Sequence, residues 1–129
     1  VKGTKPILKT DAGALADVPA PPTWLSKEAR AEWRRIMPDL VARRILTTAD
    51  MGSVENYCVA IGNVRAAQKI IDAEGLTHGS RKHPAVAVQS DAMTIARQLA
   101  AELGLTPVSR SRPAMRNDND DDDAADLGL

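Results

Sequence analysis

From Thr47 to Gly75 the apolar side chains recur with a period that leaves the backbone one regular choice. Val54, Tyr57, Ile61, Val64 and Ile71 fall at alternating spacings of three and four, with Gln68 the single polar member of the series. That spacing puts them on one side of an α-helix and does not fit the alternation of a half-buried strand. Thr47 and Asp50 have the spacing of a capping box, with Asp in place of the usual Glu. Gly75 can take the positive φ that suits the position after a helix end. About 27 residues at 1.5 Å each make a rod of about 40 Å, and a chain of this size organised around such a rod reads as all-α.

Two further helices follow from the same reasoning. Ser26 is a good N-cap, and Glu28 then lies near the positive end of a helix dipole. Behind it Ala29, Trp33, Ile36, Met37 and Leu40 form one apolar stripe. Lys27, Arg30 and Arg34 define a separate basic face. Pro38 lies inside this pattern and is expected to kink or end the helix, because it lacks an amide hydrogen and its ring crowds the preceding turn. Leu76 to His83 reads as a polar turn or loop around Gly79. Pro84 suits the first position of a third helix. That helix carries two adjacent stripes, Ala85, Val88, Ala92, Ile95 and Leu99 beside Met93, Ala96, Ala100 and Leu103, and Gly104 and Pro107 should close it.

The expected organisation is a small domain of three main helices with a long central one. Residues 1–23 form a flexible, basic, proline-containing arm, 24–108 a helical core and oligomerisation domain, and 109–129 a basic and then acidic tail without regular structure. Trp24 and Leu25 should be the first residues anchored on the core. The core is thin, since Trp24, Trp33 and Tyr57 are the only aromatic residues. Small helical chains of this kind commonly supplement their burial by self-association. The positions expected to meet sibling copies are Val54, Tyr57, Ile61, Val64 and Ile71 on the long helix and Val88, Ile95 and Leu99 on the third.

Formal net charge is zero, with 17 basic and 17 acidic residues, but the distribution is uneven. Six aspartates at 118, 120 to 123 and 126 follow Arg116 with no base among them, so the remaining body sets 17 bases against 11 acids, a formal +6. Such a surface attracts polyanions. The single cysteine, Cys58, sits among apolar neighbours and suits a reducing cytoplasm. No targeting segment is visible, and no apolar run approaches the roughly 18 to 20 residues of a membrane span.

Enzyme chemistry finds little support. Gly3-Thr4-Lys5 lacks the order of a phosphate loop. His78 and His83 have no cysteine or carboxylate beside them in sequence to complete a metal set. Cys58 lacks an adjacent base and reads as a packing residue rather than a nucleophile. The aspartate run lacks the glycine and glutamate spacing of a calcium loop. No cofactor and no metal are expected.

Three stretches together resemble the small subunit family of phage terminases. The first is Pro21-Pro22-Thr23-Trp24-Leu25-Ser26-Lys27-Glu28-Ala29, followed by Glu32-Trp33 and Pro38-Asp39-Leu40. The second is Leu46-Thr47-Thr48-Ala49-Asp50, with Glu55-Asn56-Tyr57-Cys58 behind it. The third is Glu102-Leu103-Gly104-Leu105-Thr106-Pro107-Val108-Ser109-Arg110. The resemblance implies a helical, non-enzymatic subunit that assembles into a ring, recognises viral double-stranded DNA, and hands it to the large terminase subunit, which carries the ATPase and nuclease. Many small terminases carry a helix-turn-helix near the N-terminus. Here the arm before Trp24 is too rich in proline to supply one, and no recognition helix is assigned.

DNA contact is therefore expected from charge. The candidates are the arm lysines Lys2, Lys5 and Lys9, the first-helix residues Lys27, Arg30, Arg34 and Arg35, the link residues Arg43 and Arg44, and the loop residues Arg81 and Lys82. A ring would multiply each cation by the copy number, so weak phosphate contacts add up around a duplex. The acidic tail either docks on the large subunit or competes with DNA for the basic body. Rival readings are a helical adaptor for a protein partner and a helix-turn-helix regulator.

Overall fold

The computed structural model describes residues 13–110. It is mostly helical: α1 (Lys27–Ala42), a single 3-10 turn at Thr48–Asp50, the long α2 (Met51–Glu74), and α3 (Pro84–Glu102). Between α2 and α3 the chain makes a hairpin of two-residue strands, β1 (Thr77–His78) and β2 (Arg81–Lys82), paired antiparallel with Thr77 opposite Lys82. This segment is more ordered than the loop its polarity predicts. Gly79 at φ 66° supplies the left-handed backbone that closes so tight a turn.

The helix ends follow their residues. Ser26 accepts the amide of Ala29 at 3.1 Å, which caps α1. The Asp50 carboxylate reaches back to the amide of Thr47 at 2.8 Å, as the capping-box spacing predicts. What it caps is the 3-10 turn, so the α-helical rod that follows has 24 residues rather than about 27. Gly75 ends α2 at φ 88°. Pro84 opens α3 at its first turn, and His83 caps it by accepting the amide of Ala85 on Nδ1.

Pro38 neither kinks α1 to a stop nor ends it, because α1 continues to Ala42. Losing the helical bond at a proline costs about 3 kcal/mol. Met37 and Leu40 are fully buried and Val41 nearly so, and burying each such side chain is worth roughly 1.5 to 3 kcal/mol. Pro38 itself lies on the exposed side, where water can reach the carbonyl it leaves without a donor.

Pairings between helices run in opposite senses along the chain. Glu28 and Glu32 of α1 meet Lys69 and Arg65 of α2, while Ala67 and Ile71 of α2 pack with Ala85 at the start of α3, and Val59 and Ala60 line one groove with Ile95 and Leu99 further along it. Both α1 and α3 are thus antiparallel to α2. The main core joins Leu25, Trp33, Met37 and Leu40 to Val54, Tyr57 and Cys58, with Ala96 of α3 and Leu103 at its C-terminal cap. A smaller cluster, Ala67, Ile71 and Ala85, closes the hairpin end. Gly62 lets α1 approach α2 closely, since a Cβ there would stand 3.0 Å from Ser26 Oγ and 3.2 Å from the Ala29 Cβ.

The structure corrects two expectations. The seam of α2 does not await a sibling chain as a unit, because Val54, Tyr57 and Ile71 are buried in the protein's own interior. Ile61 and Val64 are half-buried. The period of three and four reported a helix with a buried side, and a period cannot say which chain does the burying. The chain is also anchored well before Trp24. The Leu15 amide donates to the Leu46 carbonyl at 2.8 Å, and the Trp33 indole donates to the Pro19 carbonyl at 2.8 Å. Leu25 is buried as expected, but Trp24 is 63 % exposed.

Candidate nucleic-acid interface

At 3.6 residues per turn, Lys27, Ala31, Arg34, Arg35 and Pro38 share the outward face of α1, and all five are exposed. Along the edge of this face α1 and α2 are tied by two ion pairs of matching spacing. Lys69 bonds Glu28, and one turn further on Arg65 Nη2 reaches Glu32 Oε1 at 3.1 Å. The side chains of Arg35, Arg65 and Lys69 remain 64 %, 44 % and 70 % exposed, so the pairing fixes their positions and leaves them open to solvent.

Glu32 organises this edge from inside. Its side chain is fully buried, and both oxygens are occupied: Arg35 donates from Nε to Oε1 at 2.9 Å and from Nη2 to Oε2, and the Tyr57 hydroxyl donates to Oε2 at 2.7 Å. Burial pushes the Glu32 carboxyl up. The hydrogen bonds from Arg35 and Tyr57, with the nearby charges of Arg35 and Arg65, outweigh it and hold the group below the usual carboxylate range. Hydrogen bonding to Glu32 raises Arg35 in turn. Burial, then the bond to Glu32, pushes Tyr57 up to about 12. At Glu28 the Lys69 bond is the main cause of a lowered carboxyl.

The other sequence candidates are dispersed. Arg30 donates to the Thr23 and Leu25 carbonyls and so braces the entry to α1. Arg43 is bonded to the Gly104 carbonyl and to Asp39. Arg44 is exposed at φ 61° and, like Arg34, makes no ion pair among the described residues. Arg81 and Lys82 are exposed on β2, at the other end of the α2–α3 pair from Arg43. Lys2, Lys5 and Lys9 lie outside the described residues. Arg65, Lys69 and Glu32 were missed in sequence. The signal was present in the acids of α1 and the bases of α2, each spaced four apart, but their juxtaposition depends on the register of the two helices.

A second surface runs between α2 and α3. An open groove of about 520 Å³ is lined by Val59, Ala60, Val88, Ala92, Ile95 and Leu99, with Asp91 and Glu102 among its polar members. Val88 is 53 % and Ile95 48 % exposed, so these two of the expected contact residues are available on the surface, and Leu99 is half-buried.

Cys58 is fully buried, and burial pushes its thiol up to about 12. His83 Nε2 lies 2.8 Å from Glu74, while its Nδ1 holds the α3 cap. Among the described residues no group of three His, Cys, Asp or Glu side chains is placed to hold a metal ion, and no helix is long and apolar enough to cross a membrane.

The described residues form a small helical unit with a basic outer face, an apolar groove and one buried carboxylate tied to arginines at the surface. The phage terminase small subunit family matches residues 29–120, and the chain belongs to that family. No curated protein and no solved structure matches the chain. Membership gives it a part in viral DNA packaging, within a family that is generally non-catalytic.

Proposed function

We propose that this protein selects viral double-stranded DNA for packaging, delivers it to the large ATPase and nuclease subunit, and regulates that subunit without catalysing a step itself. It acts as a closed ring of identical copies in the cytoplasm of the infected bacterium. The observation that carries DNA binding is the outer face of α1, where Lys27, Arg34 and Arg35 stand exposed beside Arg65 and Lys69 of α2. Cations in such a row neutralise successive phosphates and release counterions, which gives affinity without base readout. Ring closure uses the exposed apolar residues of α3, Val88 and Ile95, against a sibling copy.

A Lys27→Ala, Arg34→Ala double variant tests the DNA reading, because both side chains lie on this face and neither holds an ion pair among the described residues. Duplex affinity should fall and its dependence on salt flatten while the melting temperature stays put; unchanged affinity at low salt removes this face from consideration. For assembly, native mass measurement should find a multimer for the parent chain and smaller species for Val88→Asp, Ile95→Asp. The apolar groove also favours a second reading, an adaptor for a helical protein partner. That reading predicts a small species in the same measurement, with no response to DNA.

A further inference from the structure

Where the C-terminal half of α1 meets the turn after α3, a recess of about 190 Å³ opens between segments far apart in the chain. Three of its lining residues are arginines, Arg35 and Arg43 from α1 and the α1 exit, and Arg110 from the last described turn. Three cations around one small hollow repel one another, so the fold has to hold them there. Arg35 is held by Glu32 through Nε and Nη2. Arg43 is held through Nη1 by the Gly104 carbonyl and through Nη2 by Asp39. Arg110 is held through Nη1 by the Leu105 carbonyl at 3.1 Å. Gly104 is needed at its place: its φ is 72°, and a Cβ would come within 3.0 Å of Arg43 Nη1.

We propose that this recess seats a single phosphate group, gripped by Arg35, Arg43 and Arg110. A guanidinium carries five N–H donors in a planar fork, so each of the three keeps at least three donors beyond its bonds to the protein. Forks of this kind match phosphate oxygens in pairs, and their fixation on carboxylates and carbonyls lowers the cost of ordering them around an anion. The two acids beside them, Glu32 and Asp39, leave the cluster net positive, and Arg65 on Glu32 adds to that. Phosphate of two sources has this chemistry, the backbone of a DNA duplex and the free anion. The first rests on the function proposed above and would make the recess the point where one strand is fixed in register.

The test compares the full chain with Arg110→Gln, which removes an exposed cation of the seat, and with Arg97→Gln, which removes an exposed cation of α3 outside it. Melting temperatures check that each is folded. For a backbone phosphate, Arg110→Gln should lower duplex affinity about fivefold at about 0.15 M salt and reduce the salt slope by about 1, clearly more than Arg97→Gln does. Inorganic phosphate titrated at fixed ionic strength should shift the amide resonances of Gly104 and Leu105 in the parent chain and not in Arg110→Gln. Shifts with phosphate but no effect on duplex binding assign the seat to the free anion. If the two variants match in both measurements, the seat is overturned, and duplex binding by the parent chain still stands for the proposed function. A parent chain that ignores duplex while its resonances move with phosphate does the opposite: the seat stands and the DNA role falls.

Discussion

The hydroxyl of Tyr57 donates to Oε2 of Glu32 at 2.7 Å inside the protein, joining two residues 25 positions apart in sequence. This bond satisfies a carboxylate that also orients two arginines on the outer face. The core and the basic edge therefore share one group.

Removing either member should be felt in stability. Tyr57→Phe deletes one bond to a charged group and should cost about 1.5 to 3 kcal/mol in urea unfolding. Glu32→Gln keeps the shape of the side chain but replaces charge-assisted bonds from Arg35, Arg65 and Tyr57 by neutral ones, and should cost about 1 to 2 kcal/mol. The acid side gives the sign. The Glu32 carboxyl is lowered in the folded state, so its contribution is present above the unfolded value of about 4.3 and lost as pH falls through the folded one. Stability of Glu32→Gln should therefore depend less on pH in that range than stability of the parent chain.

Tyr57 is the only tyrosine, which makes its ionisation readable by ultraviolet absorbance. It should titrate at about 12 in the folded protein and near the ordinary value of about 10 once unfolded by denaturant. Because the folded state favours the neutral phenol, this contribution is present below the unfolded value and lost as pH rises through the folded one. A native titration near 10 would contradict the buried bond to Glu32.

Gly62 and Gly52 lie on the same helix and should respond in opposite directions to alanine. Gly62→Ala gains about 1 kcal/mol of helix propensity but drives a Cβ against Ser26 and Ala29, whose amide lies 3.3 Å from it, so the net change should be destabilising. Gly52→Ala meets nothing within 4 Å and should stabilise by about 0.5 kcal/mol. Thermal melts of the two variants decide it.

His83 caps α3 through Nδ1, and its Nε2 faces Glu74. His83→Ala should lower stability by about 1 kcal/mol, with the loss of hydrogen-exchange protection concentrated in the first turn of α3. His83→Asn, which can cap by its side-chain oxygen, should restore most of it.

Cys58 should resist thiol reagents in the native protein and react at once in denaturant, since burial raises its thiol to about 12 and closes off access. Fast labelling of the folded chain would mean that α2 opens locally.

The sequence by itself determined where the helices lie and how they end. Ser26, Thr47 with Asp50, Gly75, Pro84 and Gly104 act through bonds to the nearest turn of backbone, and such local terms can be read along the chain. It also determined the burial of Cys58 and a surface rich in cations. Tertiary structure decided the rest. It turned Val54, Tyr57 and Ile71 inward onto the chain's own α1 and α3, and it carried α1 through Pro38 because the residues around it are buried. It tied Arg43 to Gly104 and Asp39 and left Arg34 and Arg44 without an ion pair among the described residues. It also set Glu32 between Arg35 and Arg65, and Arg110 beside Arg35 and Arg43. The physical reason is one of range. A cap or a period is settled by neighbours a turn away, whereas the partner of a buried carboxylate or an arginine depends on the register between helices that only the packed core sets.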